Sequence, residues 1–209
     1  MRRISIADPL WMETSTRHLS SGMVLAVPTE TVYGLAGALL SPSAVNRIIA
    51  LKGRPEDKAL PLQMASTEAA LGFGFEFSPQ ARRLAARFWP GPLTLVLPRP
   101  AALPDWYAPG ASTTALRVPS HGATRTLLER WGSPLAITSA NRSGGREAVS
   151  AREVEEIFAG AADLLVVDGG SAAGGSASTI VDATGPAPVI LRAGPVSQAS
   201  VEEVWHGRE

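Results

Sequence analysis

The chain has 209 residues and a formal net charge of zero, from 19 basic and 19 acidic side chains, with 45% hydrophobic and 18% charged residues. That composition supplies a buried core, shows no disorder signature, and excludes a broad basic surface for gripping nucleic acid or an anionic membrane. The absence of cysteine excludes disulfides, zinc–thiolate and iron–sulfur sites and thiol catalysis.

No apolar run approaches the roughly 18 residues of a membrane span, and Asp8-Pro9 interrupts any signal-like stretch behind Met1-Arg2-Arg3. The expectation is a soluble cytoplasmic protein, one domain over residues 1–209.

In chain order, Asp8-Pro9 predicts a helix start, an N-cap side chain followed by proline at the first helical position. A strand follows at Met23–Val27, then a helix opened by Ser41-Pro42 with Val45, Ile48 and Ile49 at helical spacing. Leu60–Met64 reads as a strand, and Ser78-Pro79 opens a helix carrying Leu84 and Phe88. Strands are predicted at Leu93–Leu97 and Thr114–Val118, a helix at Gly122–Trp131 and a strand at Leu135–Thr138. Ser150 with Glu153 makes a capping box ahead of Val154, Ile157 and Phe158. Strands at Leu164–Val167, Thr179–Asp182 and Val189–Leu191 and a helix at Gln198–Trp205 complete the chain. Strands alternating with helices predict an α/β fold with a mixed sheet. The short Gly/Pro turn between Thr179–Asp182 and Val189–Leu191 requires part of it to be antiparallel. The one low-complexity stretch, Gly169–Ser178, reads either as a flexible surface loop or as a lid over a site.

The common catalytic signatures are missing. There is no GxxxxGK[ST], no GxGxxG between a strand and a helix, no GxSxG and no HExxH, and His18, His121 and His206 have no evident triad partners. What remains are polar loops at strand ends. Pro28–Leu35 (PTETVYGL) places two threonines, a carboxylate and a phenol where α/β folds hold ligands, although a plain turn would also use its threonines on local backbone groups. Lys52–Lys58 holds both lysines of the chain, which has 17 arginines in all. Cations there complement a helix C-terminus, and they equally suit phosphate neutralisation, lysine as a compact charge and Arg54 as a fork. Thr138–Gly145 combines hydroxyls, an amide and glycines, as either a turn or an anion cradle. Arg117 and Arg192, each at a strand end, would add positive charge to such a pocket.

Taken together, PTETVYGL, KGRP (52–55), WPGPLT (89–94), RVP (117–119), TSANRSG (138–144), STIVD (178–182) and ILRAG (190–194) resemble the YrdC-like family, whose best-known members are threonylcarbamoyl-AMP synthases. The resemblance implies a YrdC-like twisted mixed sheet flanked by helices, with a basic concave groove. It implies synthesis of threonylcarbamoyl-AMP and pyrophosphate from L-threonine, bicarbonate and ATP with Mg2+, for N6-threonylcarbamoyladenosine in tRNA. By resemblance Lys52, Arg54, Ser139 and Asn141 are the essential residues. Thr31, Arg117 and Ser178 would contact threonine, and Arg54, Lys58, Thr113, Ser139 and Arg192 would line the ATP side. Downstream tRNA threonylcarbamoyl transferase proteins are the implied partners; tRNA or double-stranded RNA binding and a low-activity paralogue are the alternative readings. Glu147-Ala148 departs from the serine or threonine that other members carry, and family members often have Asn near Lys58 and His near Gln63. Ending at Glu209, the chain resembles the short form of the family. Replacing Lys52 or Arg54 by alanine is expected to abolish activity with little change in stability.

Overall fold

The computed structural model describes residues 1–53 and 59–208. Ten strands form one mixed sheet: β1 (Arg2–Ser5), β2 (Leu25–Val27), β3 (Gly34–Ala38), β4 (Leu62–Gln63), β5 (Leu93–Pro98), β6 (Thr113–Arg117), β7 (Leu135–Ser139), β8 (Leu165–Asp168), β9 (Thr179–Asp182) and β10 (Val189–Arg192), in the spatial order β1-β8-β2-β3-β7-β4-β6-β5-β9-β10. As the short turn required, β9 and β10 pair antiparallel, whereas β5 and β9 run parallel.

The two-residue alternation of strand side chains divides the apolar set between two faces. Leu25, Val27, Ala36, Ala38, Leu135, Ile137, Leu165 and Val167 face one core with Leu19 of α1 (Trp11–Ser20) and Leu127 and Leu128 of α5 (Gly122–Trp131). Their neighbours Ala26, Leu35, Ala136 and Val166 point to the larger core. That core is closed by α2 (Pro42–Lys52), α3 (Thr67–Phe73), α4 (Pro79–Phe88), α6 (Ala151–Ile157) and α7 (Gln198–Trp205).

Ser41 and Ser78 cap α2 and α4 by accepting from the backbone N–H of Ala44 and Ala81, with proline next in each helix. Asp8-Pro9 does not. α1 starts at Trp11, and the Asp8 carboxylate accepts from Leu10 N at 2.8 Å, in a turn that precedes the helix. The capping box at Ser150 forms with a shift: Glu153 N donates to Ser150 Oγ, but the Glu153 carboxylate accepts from Val149 N rather than from the cap residue. Two strands and a helix went unread in the sequence. β1 buries only Ile4, so its arginines mask it; β3 is GLAGA, poor in strand-favouring residues; α3 has a Ser66 cap but only seven residues. No helix among the described residues is long and apolar enough to cross a membrane.

His18 ties α1 to the sheet, with Nε2 3.1 Å from Val24 O and 3.0 Å from Asp163 O. Burial lowers its pKa, against those two carbonyls, and burial also lowers that of His121 against the pull of Glu30. The unfolded chain therefore binds more protons than the folded one below about pH 6.5, and stability falls as pH drops through that value toward the lowered native pKa values. Urea midpoints should decline between pH 7.5 and 5.5, and His18→Gln should flatten that slope.

Candidate functional site

A small cleft, open to solvent, lies where the β2–β3 loop meets the ends of β4, β5, β6, β7 and β9. A larger open depression, between residues 144–149 and the 172–177 loop, adjoins it and shares Ala177 and Arg192.

Arg117 ends β6 with 5% of its surface exposed. Its Nε donates to Gly91 O at 3.0 Å, and its Nη2 donates to Glu30 at 2.6 Å and to Thr31 Oγ1 at 3.0 Å, which leaves Nη1 without a partner among the described residues. The threonine pair can be assigned from its bonds. Thr29 Oγ1 donates to Val32 O at 2.6 Å, so its 2.8 Å contact with Thr31 Oγ1 has Thr31 as the donor. Thr31 then keeps one lone pair, an acceptor position on the cleft wall. Thr29 behaves as the ordinary turn reading expected, whereas Thr31 lines the cleft.

On the opposite wall Arg192 Nε donates to Ser178 O at 3.0 Å and Nη2 to Ser178 Oγ at 3.2 Å, and Ser178 Oγ lies 2.7 Å from Thr94 Oγ1. Gly194 makes this packing fit: a Cβ there would stand 2.6 Å from Ala177 O. Desolvation lowers the Arg192 pKa and repulsion from Arg117 adds to it, against attraction from Glu147. An arginine remains protonated regardless, and with Arg117 already paired to Glu30, Arg192 brings to the cleft a charge that an anion would offset.

Lys52 is 4% exposed, and its Nζ donates to Ser139 O at 2.7 Å, Asn141 O at 3.1 Å and Asn141 Oδ1 at 2.7 Å. Ser139 Oγ also donates to Asn141 Oδ1, and Asn141 Nδ2 donates to Gly145 O. Ser143 N and Arg142 Nη1 cap the C-terminal carbonyls of α2 at Lys52 and Leu51, and Gly53 ends that helix in the left-handed conformation. Lys52 therefore braces the loop carrying Ser139 and Asn141. The expectation that Lys52 can be removed at little cost in stability does not survive this geometry: three carbonyl oxygens would lose a charged donor.

The Gly169–Ser178 segment lies against the site. Tyr33 OH donates to Gly170 O at 2.6 Å and accepts from Gly169 N at 3.3 Å, Ala172 N donates to Val149 O at 2.8 Å, and Gly174 N donates to Glu30 O at 3.0 Å. Glu30 thus holds Arg117 through its side chain and the segment through its carbonyl. No group of three or more His, Asp or Glu able to hold a metal ion occurs among the described residues.

A family profile named Sua5/YciO/YrdC, described as "Telomere recombination", matches residues 17–194. The chain belongs to this family. It is 41% identical over 186 residues to the threonylcarbamoyl-AMP synthase of Pyrococcus abyssi and 36% identical over 187 residues to that of Bacillus subtilis, covering 89% of this chain and 54% of each relative. The chain thus spans about half the length of these two relatives. The threonylcarbamoyl-AMP synthase of Pseudomonas fluorescens is 39% identical over 166 residues, with 78% of this chain and 86% of the relative covered. The structure of Pyrococcus abyssi Sua5 complexed with L-threonine superposes with a TM-score of 0.88 at 38% identity, over 97% of this chain and 60% of that one. Escherichia coli YciO, at 24% identity and a TM-score of 0.79 over 94% of this chain and 96% of that one, shares the fold. The twisted α/β sheet flanked by helices is that of Sua5 and YciO.

Within this family frame the structure brings Thr31, Arg117, Ser139, Ser178 and Arg192 to one cleft, with Lys52 and Asn141 behind Ser139. Thr113 begins β6, four residues before Arg117, and does not line the cleft. Arg54 and Lys58 lie outside the described residues. Sequence reasoning missed Glu30 and Gly91 as partners of Arg117, Thr94 as the partner of Ser178, and the Tyr33 latch. All four lie inside PTETVYGL or WPGPLT, so the signal was present, but only the fold aligns those loops.

Replacing Gly194 by alanine should push the β10 exit away from Ser178. Overpacking of this kind typically costs about 1–3 kcal/mol, read as a lower urea midpoint.

Proposed function

We propose that the cleft binds L-threonine and the adjoining depression the nucleotide, and that the protein is a threonylcarbamoyl-AMP synthase using bicarbonate and MgATP. The observation that carries this reading is the convergence of two arginines, Arg117 and Arg192, on one small cleft walled by the Thr31, Ser139 and Ser178 hydroxyls. Cations and donors there suit a carboxylate and a phosphate, and the spare lone pair of Thr31 suits an amine or hydroxyl of an amino acid. Identity to relatives named threonylcarbamoyl-AMP synthase, and likeness to a Sua5 that binds L-threonine, support the same substrate.

In this reading the neutral amine of threonine and bicarbonate form a carbamate and water. A carbamate oxygen then bonds to the α-phosphorus of ATP as the bond to the β,γ-bridged leaving group breaks, and the electron pair departs with pyrophosphate. No protein nucleophile is needed. Arg117 Nη1 takes the threonine carboxylate, Arg192 offsets the repulsion between carbamate and phosphate, and the Lys52-braced loop presents Ser139 toward the reacting groups. Positioning of two anions supplies the acceleration. Magnesium enters with the triphosphate as part of the substrate, in keeping with a donor set of cations, hydroxyls and amides. The Gly169–Ser178 segment, already seated on Glu30 and Tyr33, keeps water from a hydrolysable product. The product would supply the threonylcarbamoyl group to tRNA through partner transferase proteins.

Pyrophosphate release should require ATP, bicarbonate and threonine together; release that persists without threonine or bicarbonate refutes the reading. Lys52→Met should abolish release and also lower the melting temperature, because stranding buried carbonyls costs about 1–3 kcal/mol.

A further inference from the structure

Building on the synthase reading, we propose that Thr94 is a positioning residue: it donates to Ser178 and so leaves the Ser178 proton for the amino-acid substrate.

Thr94 is the single polar residue in the strand sequence Leu93–Leu97, where valine would serve the pleated surface equally well. It is 3% exposed and lines the cleft. The parallel register sets Thr94 opposite Ile180 on β9, and from there its hydroxyl reaches back to Ser178 Oγ at 2.7 Å. Among the described residues it has no other hydrogen-bond partner. A serine hydroxyl has one proton and two lone pairs. One lone pair of Ser178 already accepts from Arg192 Nη2.

Two orderings remain. If Ser178 donates to Thr94, the Thr94 proton has no acceptor among the described residues and Ser178 offers the cleft no donor. If Thr94 donates, both lone pairs of Ser178 are filled, and its own proton is left for an anion on the cleft side. A bound carboxylate or carbamate selects the second ordering and completes the set. The same chain steadies Arg192, whose Nε is held by Ser178 O and whose exit from β10 is packed on Ala177 and Ser178 at Gly194. Thr94 thus acts on the substrate through Ser178.

The test is calorimetric titration of the whole chain with L-threonine, alongside pyrophosphate release, for the wild type, Thr94→Val and Thr94→Ser. Thr94→Val should raise the threonine Kd and KM about tenfold, with kcat at saturating threonine within about threefold, as the loss of one hydrogen bond to a charged network predicts. Thr94→Ser should bind within about twofold of the wild type. Wild-type affinity in Thr94→Val, or equal weakening in both variants, overturns the proposal, since the second outcome would make the methyl group and not the hydroxyl responsible. Should Thr94→Val not fold, Thr94→Ser decides: wild-type affinity supports the role, and a Kd raised tenfold in folded protein overturns it. Failure of the wild type itself to bind threonine refutes the synthase reading, whereas full binding by the wild type and Thr94→Val alike refutes only the role of Thr94.

Discussion

The Arg117 guanidinium, 5% exposed at the end of β6, has to be neutralised and hydrogen-bonded where it lies. Even after relaxation, an isolated buried ion costs several kcal/mol. Its partners come from two separate loops: Glu30 and Thr31 from the β2–β3 connection, and the Gly91 carbonyl from the WPGP turn before β5. Gly91 N in turn donates to Val118 O, just beyond Arg117, so the turn is fastened on both sides. Removing the arginine would strand a partly buried carboxylate whose Oε2 already lacks a partner among the described residues. The cleft exists in its shape because these loops close on one cation.

From that anchor the polar groups sort by what they can still offer. Thr29 is saturated by its own turn, Thr31 retains an acceptor, and Ser139 is committed to Asn141 through its proton. Lys52 is committed to backbone and amide oxygens and gives the Ser139–Asn141 loop its geometry. Arg192 has exposed surface and is shared by the small cleft and the open depression. A chain of zero net charge can therefore gather two arginines at one cleft, of which Arg117 is paired with Glu30.

Much of this could be read along the chain. Proline-flanked serine caps placed α2 and α4, the alternation of apolar residues placed the inner strands, and the motif loops fell at strand ends where ligands gather. The misreadings share a cause. β1 survives on a single buried side chain plus parallel pairing to β8, and β3 on pairing to both neighbours, so neither needs a strong local preference. Asp8 spends its carboxylate one turn early because the chain must first leave β1, whose register with β8 extends to Asp168.

By itself the sequence determined the α/β class, most helix boundaries, the absence of thiol chemistry, and the loops in which the polar groups lie, since capping, periodicity and composition are local. Only the tertiary structure decided that Lys52 is a brace, that Glu30 serves Arg117, and that Thr94 meets Ser178 across 84 residues. Those roles depend on which strands become neighbours, and pairing between β5 and β9 or β3 and β7 is a long-range choice made by the whole core. A hydroxyl's donor or acceptor role is fixed only once its neighbours are known.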